Sequence, residues 1–428
     1  MPYFAQQLAL LKTEREEDRR TYQLLRENTT IATRRTNGIT WYPIAIRDTE
    51  PGYGDYLSVT LERTTHQDVY HQFRTGVSVM IFSGINPESR QLEGVVVRQS
   101  ANRIRINLRT DELPEWTREG KLGIDLLFDD NSYDEMEKAL KRAIATEPDT
   151  DAGRLIQILT GTKKPVFDQS VSVPEILSLN SSQQEAVQKI CAAQDLAIVH
   201  GPPGTGKTTT IVQAIKTMIR EQQHKRILVV APSNTAVDLL TERLADEGLN
   251  VLRVGNPARV SERLLSLTLD GRVETHQRMK EIKKLKKQAN EFRDMAHKYK
   301  RHFGKAEREQ RKALFQEAHR ILKEVEQTEK YIPEDIINRT KIITATLVGA
   351  AHYTIRDLRY DAVVIDEAGQ ALEPACWIVI LKGKKLILAG DHLQLPPTVK
   401  STEAARNGLS ATLLEKAVAL HPETVTLL

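Results

Sequence analysis

Leu196-Ala-Ile-Val199-His200-Gly201-Pro202-Pro203-Gly204-Thr205-Gly206-Lys207-Thr208 decides how the rest of the chain is read. Four apolar residues without a polar break read as a strand buried on both faces. The segment after His200 matches G-x-x-x-x-G-K-[ST] in the context that motif requires, a strand, then a loop, then a helix. Gly204 and Gly206 let the backbone turn its N–H groups inward around phosphates without Cβ clashes. Lys207 then neutralises the β- and γ-phosphates, and the Thr208 hydroxyl ligates Mg²⁺. The helix beginning near Thr208 adds the positive end of its dipole. Residues Gly201 to Thr209 are therefore the expected cradle of a nucleoside triphosphate with Mg²⁺.

Such a loop needs a partner carboxylate at the end of another buried strand. Ala362-Val-Val-Ile365 ends in Asp366-Glu367, which fits. Asp366 is expected to hold Mg²⁺, mostly through its water shell. Glu367 is placed to orient and deprotonate an attacking water. An Asp-Glu pair after a strand is also a common helix cap, and only the company of Gly201–Thr208 makes it specific. Further short apolar runs occur at Ile227–Val230, Ile342–Ile343 and Leu386–Ala389, separated by helical stretches. That alternation predicts an α/β fold built on a parallel sheet.

Outward from this core the texture changes twice. Phe4, Leu8, Leu11, Tyr22 and Leu25 fall on roughly one helical face, and the polar run Lys12–Arg20 predicts that this helix is partly exposed. From Asn37-Gly38 the pattern becomes period-two, as in Leu57, Val59, Leu61 and again in Ile104, Ile106, Leu108, which predicts a small antiparallel barrel or sheet over about 38–128. Arg103, Arg105 and Arg109 share one face of a barrel strand, either as a nucleic-acid contact or as a solvated face. Ser132-Tyr-Asp-Glu135 reads as a capping box opening a helix to about Ile144. The expected layout is a stalk helix over 1–36, a barrel over 37–130, a second stalk helix over 131–150, the α/β domain over 151–256 and 337–428, and an inserted helical subdomain over 257–336.

The net charge of +4 hides an uneven distribution. Between Gly271 and Lys330 there are 18 Lys and Arg against 10 Asp and Glu, leaving 43 against 47 elsewhere. The basic excess lies in the inserted helices, as a footprint for phosphate backbones or as a solvated helical hairpin. There is no fixed-period repeat and no low-complexity tract. The first twenty residues lack the apolar core of a signal peptide, and no run reaches the length of a membrane span. With only Cys191 and Cys376, neither a disulfide framework nor a zinc site is expected, and the cytoplasm is the default compartment.

Asp366-Glu367-Ala368-Gly369-Gln370, Gly390-Asp391-His392-Leu393-Gln394-Leu395-Pro396-Pro397, the phosphate loop, and Leu179-Asn180-Ser181-Ser182-Gln183 together resemble superfamily 1 helicases. The branch they resemble holds the nonsense-mediated-decay helicase and the immunoglobulin mu-binding helicase. The resemblance implies a RecA-like P-loop domain, with a stalk-mounted barrel ahead of it and a helical insertion after its second strand. It implies ATP as the nucleotide, read at the adenine edge by Gln183, and a γ-phosphate contact from Gln394. It also implies that Pro232, Ser233, Asn234 and Thr346 touch the phosphodiester backbone, a task that hydroxyl and amide groups perform without reading bases.

The family's motor has a second RecA-like domain that supplies arginines to the γ-phosphate. Its motifs IV to VI are absent from these 428 residues, so the resemblance covers the front part of such an enzyme and a second domain is expected downstream. The leading expectation is an ATP-dependent helicase on single-stranded DNA or RNA, travelling 5′ to 3′. The alternatives are an ATP-driven translocase or remodeller that does not unwind, and a non-catalytic, nucleotide-gated binding module.

Overall fold

The computed structural model describes residues 2–428 apart from 27–28, 52–56, 70, 74–76, 88, 101, 109, 111, 129, 222–225, 256–261 and 298–304. Arg109, one of the three barrel arginines, lies outside the described residues.

The chain opens with helix α1 (Pro2–Arg26) and a six-residue helix α2 (Ile31–Thr36) capped by Thr30. Strands β1 (Thr40–Pro51), β2 (Leu57–Arg63), β3 (Ser78–Ser83), β4 (Gln91–Gln99), β5 (Arg103–Leu108) and β6 (Leu122–Leu126) then close into an antiparallel barrel, ordered β1-β2-β5-β4-β3-β6. The period-two residues fill it. Val59, Leu61, Ile104, Ile106 and Leu108 are buried with Trp41, Ile81 and Ile124 in a core of their own. Helix α3 (Asp130–Ala145) leaves the barrel and α4 (Asp151–Leu159) follows. Because α3 already begins at Asp130, Ser132 lies inside its first turn, so the predicted capping box is not its N-terminus.

Helix α5 (Ser181–Ala192) leads into β7 (Leu196–His200), α6 (Lys207–Glu221), β8 (Ile227–Ala231), α7 (Asn234–Asp246) and the short β9 (Val251–Arg253). After the insertion come β10 (Ile342–Thr346), β11 (Tyr360–Ile365), α11 (Glu373–Ile380), β12 (Gly383–Gly390), α12 (Thr402–Ala404), α13 (Leu413–Leu420) and β13 (Val425–Leu427). The sheet is parallel throughout, in the order β13-β7-β12-β11-β8-β10-β9. Its apolar runs serve both faces. Leu196, Ile198, Leu228 and Val230 pack on one side, and Ala197, Val199, Val229 and Ala231 on the other.

The first of those faces also receives Phe4 and Leu11 of α1, Met136 and Leu140 of α3, and Trp377 of α11. Phe4 meets Trp377 edge-on at 4.9 Å. The polar run of α1 is not simply exposed. Arg15 bonds Asp130 and Asp134 of α3, while Glu14, only 2% exposed, accepts the backbone N–H groups of Lys400 and Ser401 at 2.8 Å each. Both stalk helices are thus fastened to the sheet domain.

The insertion consists of α8 (Leu269–Thr275) and two long helices, α9 (Gln277–His297) and α10 (Lys305–Arg339). Its buried residues do repeat: Ile282, Ala289 and Ala296 on α9, and Ala318, Val325 and Ile332 on α10, are each seven apart. This is the seam of a two-helix coil, short enough and rich enough in alanine to escape notice among the charged residues. No helix among the described residues is long and apolar enough to cross a membrane.

Candidate nucleotide site

Every strand that carries a predicted site residue ends on the same rim of the sheet. β7 runs into Gly201, β8 into Pro232, β10 ends at Thr346, β11 runs into Asp366 and β12 into Asp391. In open parallel sheets ligands bind at this carboxyl rim, where the strand order reverses direction.

The loop's glycines adopt the conformations that the motif demands. Gly204 has φ 87° and Gly206 φ 86°, both left-handed. A Cβ on Gly206 would also stand 2.4 Å from Gln183 Nε2. Gln183 is already engaged, since its Oε1 accepts Asn180 N–H in a capping box and its Nε2 donates to the Thr205 carbonyl at 3.0 Å. It ties the start of α5 to the loop, leaving one lone pair and one amide proton for another partner. Pro202, Pro203 and Gly204 are exposed at the tip. Lys207 Nζ donates to the carbonyls of Gly201 and Pro202 at 2.6 and 3.0 Å, and Thr205 Oγ1 to Pro202. Thr209 lies beyond the loop, and its hydroxyl accepts from Arg243 of α7 at 3.1 Å.

Asp366 sits 4% exposed, close enough to the Thr208 side chain for that hydroxyl to favour its ionised form. Burial, the largest influence, pushes its carboxyl up to about 6, although the Glu367 N–H donates to Oδ1 at 2.9 Å. A buried carboxylate so hard to ionise, beside a threonine hydroxyl, suits an oxygen-seeking divalent cation. Glu367 takes φ 55°, ψ 33°, an uncommon left-handed conformation for a residue with a side chain. Two residues on, a Cβ on Gly369 would lie 2.3 Å from the Asp391 carbonyl oxygen. The backbones of 366–370 and 390–394 therefore touch.

Asp391 gathers the second of these segments. It accepts Leu393 N–H at 2.9 Å and Gln394 Nε2 at 3.2 Å, and the first of these does most to hold its carboxyl below the usual range. His200 Nε2 stands 3.2 Å from it, and the His200 and His392 rings lie 4.5 Å apart. Burial, then the charge of His392, lowers His200 below the ordinary imidazole range, against the pull of Asp391. No pattern in the sequence assigns His200, Asp391 or His392 a chemical role. Their meeting depends on β7 pairing with β12, whose residues lie some 190 positions further along the chain.

The residues expected to touch nucleic acid occupy the same rim but are locally engaged. Ser233 caps α7 by accepting Ala236 N–H, Asn234 Oδ1 accepts from the buried Arg253, and Thr346 Oγ1 accepts Gly349 N–H. Pro232 is half-buried beside them. On the barrel, Arg103 faces Glu62 and Arg105 pairs with Glu50, so that strand face is charge-compensated. Arg406 lies in a helical turn over Ala405–Leu409.

The sequence model of a family described as an AAA domain matches residues 178–402. DNA-binding protein SMUBP-2 of Mesocricetus auratus is 33% identical over 98% of this chain and 43% of its own length. DNA polymerase alpha-associated DNA helicase A of Schizosaccharomyces pombe is 33% identical over 74% of the chain and 47% of its own. ATP-dependent helicase NAM7 of Saccharomyces cerevisiae is 33% identical over 69% of the chain and 29% of its own. The chain thus spans less than half the length of these relatives. It belongs to the superfamily 1 helicases, in the branch of the nonsense-mediated-decay and immunoglobulin mu-binding helicases.

Proposed function

We propose that this chain binds Mg²⁺-ATP at Gly201–Thr209 and hydrolyses it to drive helicase movement along single-stranded DNA or RNA, in the 5′ to 3′ sense. The observation that carries the reading is the convergence of Lys207, Thr208, Asp366, Glu367 and Gln394 on one rim of the sheet. Lys207 leaves the loop carbonyls to hold the β- and γ-phosphates, and the loop N–H groups enclose the rest. Mg²⁺ held by Thr208 and Asp366 would supply positive charge to the phosphate oxygens. The Glu367 carboxylate, aimed by its left-handed turn, orients water and accepts its proton. Gln394 exchanges Asp391 for the γ-phosphate, so that hydrolysis is felt along the rim where Pro232, Ser233, Asn234 and Thr346 face the strand. Gln183 turns its spare amide capacity to the adenine edge. A second RecA-like domain would face this rim in the whole protein.

Nucleotide binding and steady-state turnover, each with and without single strands, test the reading. Glu367→Gln is expected to retain ATP binding and lose hydrolysis, whereas Lys207→Ala loses turnover altogether. Wild-type turnover by Glu367→Gln would remove the role given to that carboxylate. Displacement of a strand from a 5′-tailed duplex by the full-length protein tests the helicase assignment itself.

A further inference from the structure

A cavity of about 750 Å³ opens between α3 and the opposite rim of the sheet. It lies where Tyr360 pairs with Gly383, at the amino ends of β11 and β12. At about 3.3 Å per residue, the length of β12 separates it from the nucleotide rim by roughly 20 Å. It is a separate place with a different charge pattern.

Six cations line it, of which Lys138, Arg356 and Lys384 are ion-paired with carboxylates and Arg142, Arg359 and Lys382 are not, among the described residues. Lys382 is 5% exposed and donates to the Ala350 carbonyl. Burial first, and then the positive charges of Arg142 and Arg359, lower its ammonium to about 8. Among the described residues neither of those guanidinium groups has a hydrogen-bond or ion-pair partner. Four carboxylates line the cavity as well, two of them already paired with other cations. Glu135 is paired with Lys138 at 2.7 Å and Asp357 with Arg356 at 3.5 Å, while Glu147 and Asp151 also line the cavity. Tyr360, 1% exposed, lines it too, and its hydroxyl has no partner among the described residues. Two arginine forks with a buried lysine match a doubly charged tetrahedral oxyanion better than a single carboxylate.

We propose that this cavity is a binding site for a phosphate monoester, held by Arg142, Arg359 and Lys382. Its size is that of a small-molecule site. Arg142 belongs to α3, whereas Arg359 and Lys382 belong to the sheet domain. A bound phosphate therefore fastens the barrel's stalk to the sheet, and it does so independently of the nucleotide loop. Such a phosphate is carried either by a metabolite or by a phosphorylated side chain, and the choice of probe tells the two apart.

Calorimetric titration of inorganic phosphate, ribose 5-phosphate and a phosphoseryl peptide tests this, on protein carrying Lys207→Ala to silence the nucleotide loop. Saturable binding is expected to persist in that background and to weaken by about tenfold or more in Arg142→Ala/Arg359→Ala, since each lost charged hydrogen bond is worth that much. Both arginines are exposed, and a thermal melt in phosphate-free buffer confirms that the double variant folds. Tighter binding of ribose 5-phosphate identifies a metabolite, and tighter binding of the peptide identifies a modified chain; both outcomes carry the proposal. Phosphate binding that Lys207→Ala abolishes and the double variant spares would overturn it, as would the absence of saturable binding by all three probes.

Discussion

Replacing Asp366 by Asn is expected to make the metal-free protein more stable. The carboxyl is 4% exposed, and burial moves it from 3.8 to about 6 against the help of the Glu367 N–H, Lys207 and Thr208. A shift of about two pK units corresponds to about 3 kcal/mol at 1.36 kcal/mol per unit. Between 3.8 and about 6 the folded state keeps a proton that the unfolded chain has released. Stability therefore falls as pH rises through that window, and the full penalty stands above it. Asn keeps the shape and an acceptor for the Glu367 N–H but carries no charge. The expected gain is about 2–3 kcal/mol at about pH 7.5 and close to none at about pH 4. Urea unfolding in EDTA across that pH range measures it. Saturating Mg²⁺-ATP should reverse the order, because ligand at about a thousand times its Kd returns about 4 kcal/mol to the protein that binds it. A difference between the two proteins that does not change with pH would refute the reasoning.

Glu367→Gly relieves a left-handed residue and is expected to raise stability by about 1 kcal/mol while hydrolysis is lost, as read by thermal melts beside turnover. Gly206→Ala places a methyl 2.4 Å from Gln183 Nε2 at φ 86° and should cost about 1–3 kcal/mol together with ATP affinity. Unchanged affinity there would show that the loop does not depend on its packing against α5. Reversing the exposed Lys283, Lys284, Lys286 and Lys287 to Glu should weaken single-strand binding at every sequence and flatten its salt dependence by about 0.7 for each phosphate no longer neutralised. An unchanged slope would leave the coil as scaffolding.

The long buried strands and the phosphate loop were legible because their signals are local: continuous apolar runs, and glycines at fixed spacing. β9 was not, since three residues carry no period. The heptads of α9 and α10 were diluted by alanine, which reads as neutral until a partner helix is known. Asp366 and Glu367 could be placed from the strand before them, but no local pattern announces the left-handed turn at Glu367 or the approach of residue 391 to Gly369. Likewise Glu14 looked like one charge among many between Lys12 and Arg20. Only the arrival of a segment 386 residues later makes it a buried cap.

The same separation governs the order in which the protein assembles during synthesis. The barrel owns its core within one continuous stretch of chain and can condense as soon as that stretch leaves the ribosome. Helix α1 cannot, because Phe4 awaits Trp377 and Glu14 awaits Lys400 and Ser401. At about 5–20 residues per second, the interval from Glu14 to Lys400 lasts on the order of 20–80 s. Throughout that time the helix lacks the partners that seat it. Its apolar face is then open to a chaperone, and the helix becomes a latch that closes only when the end of the sheet domain arrives.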